Sequence, residues 1–287
     1  MATRAVTQTW YRIALARPDG GARALVAAQG EHLGVAVATA ERHVASGAFA
    51  IAAEVAAGDV VPLGESVGKQ HVVDLAPTPE LESAPAFRWP IGALPELAHA
   101  GQLAGIRRGY ALRPDPGLLV VEAQPDVDTL TDTFMGMLER LPVADNLEIR
   151  VLDHFEDTGT TDVWLTSRIN AKKIIRFLDD HDDELFGNGH VETSIYVRAH
   201  KATLRLTQHK TVVWLADGRA LEHEVYGWLK ELGVPHVEPL VSVTDAPHYH
   251  YRPAKSRDRK KLSEMLYRER LRRVDTFPRT GARDTAG

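Results

Sequence analysis

His190-Val-Glu-Thr-Ser-Ile-Tyr-Val197, Thr203-Leu-Arg-Leu-Thr207, Thr211-Val-Val-Trp-Leu-Ala216 and Ala220 to Leu232 form one continuous stretch whose periodicities decide the fold. In the first run Val191, Thr193, Ile195 and Val197 alternate with Glu192, Ser194, Tyr196 and Arg198. A period of two puts successive side chains on opposite faces, so this is a strand with one face covered and one wet. Thr203 to Thr207 alternates in the same way. After the polar turn Gln208-His209-Lys210, the nearly unbroken apolar run to Ala216 predicts a strand covered on both faces. Asp217-Gly218 breaks it, and the period then changes to that of a helix, with Leu221, Val225, Trp228, Leu229 and Leu232 on one stripe and Gly233 and Pro235 as its stop. The expectation is a three-stranded meander with a helix laid across it.

Outward from that stretch, the upstream segments extend the same sheet. Leu118 to Val121 predicts a strand. Val127 to Leu141 carries a helical stripe of Leu130, Phe134, Met137, Leu138 and Leu141, with Asp126 or Asp128 as its cap. Leu147 to Leu152 and Asp162 to Thr166 predict two strands. Ser167 or Asn170 then opens a helix through Ile174, Ile175, Leu178 and Leu185, ended by Gly187-Asn188-Gly189. The order strand, helix, strand, strand, helix, strand is that of a ferredoxin-like split unit, so the class is α+β, with an antiparallel or mixed sheet and helices on one face. That arrangement hosts unrelated functions and names none.

The first 75 residues predict a smaller ββα domain. Two strands flank Pro18-Asp19-Gly20-Gly21, and Glu31 to Val44 has helical spacing. Phe49 to Val61 is apolar enough for either a helix or a strand. Residues 76–116 hold seven of the sixteen prolines, which block helix propagation and strand pairing, and predict a connector between two domains with a short helical piece over 94–103. Phe87, Trp89, Ile91 and Leu94 require that connector to pack, because each large apolar side chain left in water forgoes roughly 1.5–3 kcal/mol. The larger domain is assigned to 117–244, and 245–287 to a basic helix and a disordered tail.

The 287 residues include no cysteine, which excludes disulfides, thiol nucleophiles and thiolate zinc sites. Met1 to Tyr11 lacks a signal-peptide core, and no stretch approaches the ~20 apolar residues of a membrane span. A cytoplasmic protein is expected, and the Ala, Arg, Asp and Val content suggests a bacterial one.

Charge is unevenly placed. From Lys255 to Arg273 nine cations stand against Asp258, Glu264 and Glu269, a local +6, which leaves the rest of a chain formally at −5 with −11. Lys255, Arg257, Arg259, Lys260, Lys261, Arg268, Arg270, Arg272 and Arg273 are a candidate binding surface for an acidic protein or, as an alternative, for nucleic acid, although Tyr267 is the one aromatic in the run. Asp179, Asp180, Asp182, Asp183 and Glu184 are its acidic counterpart. Consecutive acids splay around a helix instead of converging on a cation, so these suit docking by a basic partner or by the chain's own C-terminal helix.

One segment has metal-ligand character. In Asp245-Ala-Pro-His248-Tyr-His250 two imidazoles two residues apart reach one side of an extended chain with a carboxylate nearby, which suits a divalent transition metal. His209-Lys-Thr211 has the His-x-Thr form of cyclic phosphodiesterases without the second copy those enzymes need, and His190-Val-Glu192 lacks the cysteines of zinc deaminases. No catalytic constellation is complete in the linear sequence. The favoured expectation is therefore a non-catalytic protein-binding module, of immunity or regulatory-adaptor type, that needs no cofactor. The alternative is a metal-assisted hydrolase or phosphodiesterase built on residues 245–250.

Overall fold

The computed structural model describes residues 8–44, 47–56 and 72–278. It is an α+β chain built on two antiparallel sheets. The N-terminal sheet begins with β1 (Thr9–Ala16) and β2 (Ala24–Gly30), a hairpin paired from Thr9 opposite Gly30 to Leu15 opposite Ala24. Helix α1 (Leu33–Val44) follows, then β3 (Phe49–Val55) and β4 (Val72–Leu75), giving the lateral order β3-β1-β2-β4. The ambiguous run after Phe49 is thus a strand as far as Val55; its end, with the tail from residue 279 and the first seven residues, lies outside the described residues. Leu33, Ala36, Val37 and Ala40 place the buried stripe of α1 on one face of this sheet.

Prolines do not keep residues 76–116 out of the fold. They punctuate short pieces: α2 (Pro79–Ser83), β5 (Ala93–Pro95), a 3-10 turn over Leu97–Leu103 where a short helix was expected, and β6 (Gly109–Arg113). Leu81, Ala84, Leu97 and Ala100 cover the second face of the N-terminal sheet. Trp89 is buried, with its indole N–H donating to Ile51 O at 3.0 Å, while Ile91 stays exposed. The segment read as a connector is therefore a layer of one sheet and, through β6, an edge strand of the other.

The larger sheet has eight strands. Its remaining members and helices are β7 (Leu118–Gln124), α3 (Leu130–Arg140), β8 (Asn146–Val151), β9 (Thr160–Leu165), α4 (Ala171–Asp179), α5 (Asp182–Leu185), β10 (Val191–Val197), β11 (Ala202–Leu206), β12 (Val212–Asp217), α6 (Glu222–Glu231), β13 (His248–His250), α7 (Arg259–Arg268) and β14 (Arg272–Pro278). The lateral order is β14-β9-β8-β10-β11-β12-β7-β6, and every pairing is antiparallel; β13 pairs separately with β5. β12 differs from its reading, since Val212, Trp214 and Ala216 are buried while Val213 and Leu215 are half-buried, so one face is covered and not both; the meander itself is present. So is the order of elements along the chain, but β11 and β12 stand between β10 and β7, so the strands do not lie side by side as in a split βαβ sheet. Buried residues of α3, α4, α6 and α7 share one core with β7, β8, β10, β11 and β12. The predicted single helix to Leu185 is interrupted after Asp179, where Asp180 and His181 close a turn.

The C-terminal stretch differs most from its sequence reading. Only Arg259–Arg268 is helical, capped by Asp258, whose side chain accepts from Lys261 N. The chain then returns as β14 along β9, so residues through 278 are paired strand and not tail. Among the described residues no helix is long and apolar enough to cross a membrane.

Candidate functional site

The strand register builds the site. Because β10 runs antiparallel to both β8 and β11, the chain leaving β8, the chain entering β10 and the chain leaving β11 all lie at the same end of the sheet. Each of these connections carries a histidine. His154 lies in the turn after β8, His190 directly precedes β10, and His209 sits in the turn from β11 to β12. Neighbouring strands are ~4.8 Å apart, so three imidazoles separated by up to 55 sequence positions form a row.

A second segment crosses this row. In β13, His248 pairs opposite Pro95 and His250 opposite Ala93, and the two-residue spacing sends both rings to one side with Tyr249 on the other. The chain just beyond is fixed by main-chain bonds from Tyr251 N to Gly92 O at 2.9 Å and from Gly189 N to Tyr251 O at 2.8 Å. Three glycines permit the approach. A Cβ on Gly34 would lie 1.8 Å from Arg252 O, one on Gly189 1.8 Å from Gly92 O, and one on Gly92 2.7 Å from Lys210 Cε. Gly92 also has φ +115°, where an L side chain is strained.

The result is five imidazoles in contact. His209, His248 and His250 form a triangle with ring centroids 5.0 Å apart on every side. His154 lies 4.8 Å from His250 and 4.9 Å from His190. His190 in turn stacks on Phe155 at 4.8 Å with the rings nearly parallel. For a tetrahedral zinc ion with Zn–N bonds of ~2.05 Å, ring centroids sit ~5.2 Å apart. The triangle therefore has the size of one face of such a coordination sphere. Its ligand nitrogens lie within 4.8 Å of one another, and small ring rotations bring them to the ~3.3 Å edge of a tetrahedron.

Protonation favours coordination too. Burial holds His190 down to about 3, His209 to about 4 and His250 to about 2, each helped by the neighbouring imidazoles, so these rings are neutral at pH 7. His248 Nδ1 stands 2.8 Å from Ala246 O. A carbonyl accepts only, so this contact selects the tautomer with the proton on Nδ1, the one that presents Nε2 to a metal. His154 Nε2, His190 Nδ1 and His250 Nδ1 are buried with no protein partner. An orphaned buried polar atom costs about 1–3 kcal/mol, so this concentration is expensive unless something fills it. Beneath the row lies Lys210, fully buried in a left-handed turn, φ +63°, with Nζ donating to Asn188 O at 2.6 Å and its pKa pushed by burial down to about 7.

His190 and His250 open onto a cleft of about 680 Å³ between the two sheets. Tyr11, Tyr249 and Phe155 give it aromatic walls, and His32, held neutral by burial at about 4, lines it with His190 and His250. Arg252 supplies a guanidinium, anchored to Ser256 O at 2.7 Å, while the carboxylates Glu31, Glu156 and Asp157 stand exposed around the opening.

Of the residues singled out in the sequence, the structure brings His209, His248 and His250 together and leaves Asp245 out. Asp245 is exposed, and its Oδ2 accepts from Ser242 N at 2.9 Å as half of a capping box. His154, His32 and the role of His190 were missed, because no linear spacing joins turns at one end of a sheet; the register alone does.

The basic and acidic clusters meet at one pair, Arg257 with Glu184. Arg257 donates from its main-chain N–H and from Nη1 to Glu184, at 3.0 and 2.9 Å. Arg259 is buried, and pairs with Asp162 at 3.0 Å while donating to the carbonyls of Leu152, Phe155 and Thr160. Arg273 also reaches Asp162, at 3.5 Å, and Lys261 pairs with Asp258 at 3.1 Å. Arg259 and Glu184 are thus internal struts and not surface contacts, because both are withdrawn from solvent by α7 packing on the sheet. Lys255, Lys260, Arg268, Arg270 and Arg272 remain on the surface, as do Asp179, Asp180, Asp182 and Asp183. Comparison with protein-family models, with curated proteins and with solved structures finds no match for this chain.

Proposed function

We propose that this protein is a transition-metal-dependent hydrolase whose ion sits on His209, His248 and His250, and that its substrate is a phosphodiester. The observation that carries the reading is the 5.0 Å triangle of imidazoles, one of which, His250, lines the cleft. His209, His248 and His250 would hold the ion and leave a fourth position for water, whose pKa a zinc-class ion lowers to near 7. Such an ion would supply water activated for attack on phosphorus, with the leaving alkoxide taking up the proton that the water gives up. Arg252 is placed to hold an anionic oxygen, and the aromatic walls suit a flat apolar group on the same substrate. The test is hydrolysis of bis(p-nitrophenyl) phosphate by protein stripped with chelator and reloaded with zinc or cobalt. Turnover should require the metal and fall by roughly 100-fold or more in His248→Ala. Protein that takes up no ion, or turnover indifferent to chelator and to His248→Ala, overturns the reading.

A separate observation supports a binding role. Lys260, Arg268, Arg270 and Arg272 surround the exposed side chains of Tyr267, Val274 and Phe277 on α7 and the sheet-edge strand β14. A mixed basic and apolar edge of this kind suits an acidic protein partner engaged by charge steering, as in an adaptor. Salt-sensitive capture of a partner, abolished by Tyr267→Ala with Arg272→Glu, supports it; identical capture by that variant removes it.

A further inference from the structure

Building on the metal reading of the trio, we propose that His154 and His190 form a second metal position beside it, so that the loaded protein carries two divalent ions of the zinc class. His154 is presented as a ligand. Its Nδ1 lies 3.4 Å from Asp153 Oδ1, and the opposite nitrogen, Nε2, is buried without a hydrogen-bond partner. His190 matches it. Phe155 fixes the plane of its ring by stacking, and its Nδ1 is likewise buried and unpartnered. The centroid separation of 4.9 Å between the two rings repeats the spacing of the trio, and the 4.8 Å from His154 to His250 sets the pair directly against it. His32, whose two ring nitrogens are buried without hydrogen-bond partners, lines the same cleft as His190.

A second ion accounts for what the first leaves unexplained. The trio uses three of the five clustered rings, whereas two of the orphaned nitrogens belong to the other two. All-imidazole donors without thiolates select borderline ions such as zinc, cobalt or nickel over magnesium or calcium. Two adjacent ions also clamp the attacking and leaving oxygens of an in-line displacement, which a single ion does not.

The experiment is metal stoichiometry of the full chain, stripped with chelator, loaded with zinc or cobalt, freed of excess ion and analysed by elemental analysis. The cobalt form is followed by its visible absorption during titration. The expectation is two ions per chain in two resolvable steps, falling to one in His154→Ala and in His190→Ala, with the absorption of the trio step retained. One ion per chain, unchanged by either substitution, overturns the second position and leaves the trio reading standing. One ion lost on His154→Ala also overturns it, because His154 then belongs to a single shared site. No ion at all overturns both. The wild-type stoichiometry needs no variant to fold, and circular dichroism of His154→Gln checks the substituted proteins.

Discussion

Lys210 is the residue whose burial the fold tolerates at greatest expense. Its pKa is depressed from 10.5 to about 7, first by desolvation, with Glu192 opposing the shift. Between those two values the unfolded chain holds a proton that the folded chain does not, so stability rises with pH from about 7 toward 10 and the full penalty is present below 7. A shift of this size corresponds to on the order of 5 kcal/mol, of which ~1–3 kcal/mol returns as cost if Asn188 O loses its donor. Metal-free Lys210→Met should therefore be more stable than the wild type at pH 6 by about 2–4 kcal/mol, and the two denaturation midpoints should cross between about pH 8 and 10, the wild type being the more stable above. A constant gap across that range would mean that Lys210 is charged in the fold. Such a costly side chain under His209, reaching the carbonyl that precedes Gly189 and His190, ties the turn of one histidine to the strand entry of another.

Close packing of elements explains how four distant segments hold five rings in register. The turn bearing His154 is gripped from α7, since Arg259 donates to the carbonyls of Leu152 and Phe155 on either side of it. Removing one member of a buried ion pair leaves the other uncompensated, at ~3–5 kcal/mol. Arg259→Ala should lose about that much in chemical denaturation, and metal bound near His154 should be released faster. Arg268→Ala, on the exposed face of the same helix, should change stability by less than about 0.5 kcal/mol. Equal effects of the two would show that α7 contributes by bulk charge and not through this strut. The Gly189 crossing is a sharper test of site assembly. A methyl there meets Gly92 O at 1.8 Å, so Gly189→Ala must push the Tyr251 segment away. The expected outcome is a fold retained by circular dichroism with metal affinity reduced at least ~10-fold, as when support of a ligand is lost; unchanged affinity would place the ion elsewhere. These elements also mark what periodicity can and cannot disclose. The alternation over Val191–Val197 and the stripe of α6 are local and were legible. The pairing of β5 with β13 was hidden because Ala93–Pro95 and His248–His250 are three residues each, too short to show a period. The 3.6-residue pattern of Leu262, Met265 and Leu266 marks α7 correctly, yet the cations beyond it read as one longer helix until β9 offered them a strand partner.

At the scale of the whole molecule, the imidazole array lies at the seam between the two sheets. His154, His190 and His209 belong to the large sheet, while His248 and His250 are carried by a strand paired to β5, whose own Ala93 and Leu94 pack in the core of the N-terminal sheet. The sequence displayed the halves of this site separately, a His-x-His segment near the C-terminus and a lone His-x-Thr in a turn, and offered nothing to join them because their proximity follows from antiparallel register and a glycine crossing. An ion bridging His209 to His248 and His250 therefore links the two halves of the molecule as well as serving chemistry. Binding to the folded chain alone stabilises it by about 2.7 kcal/mol at a free concentration 100 times Kd. For a chain of this length that corresponds to a rise in Tm of about 4–5 °C. The expected outcome is such a rise on adding zinc to stripped protein, its reversal by chelator, and its absence in His248→Ala. Limited proteolysis reports the linkage itself. Loading should slow cleavage between the N-terminal sheet and β7, over residues 76–116, since opening the seam then requires the ion to leave one side. A Tm that rises while cleavage there is unchanged would show an ion that stabilises one sheet without joining it to the other.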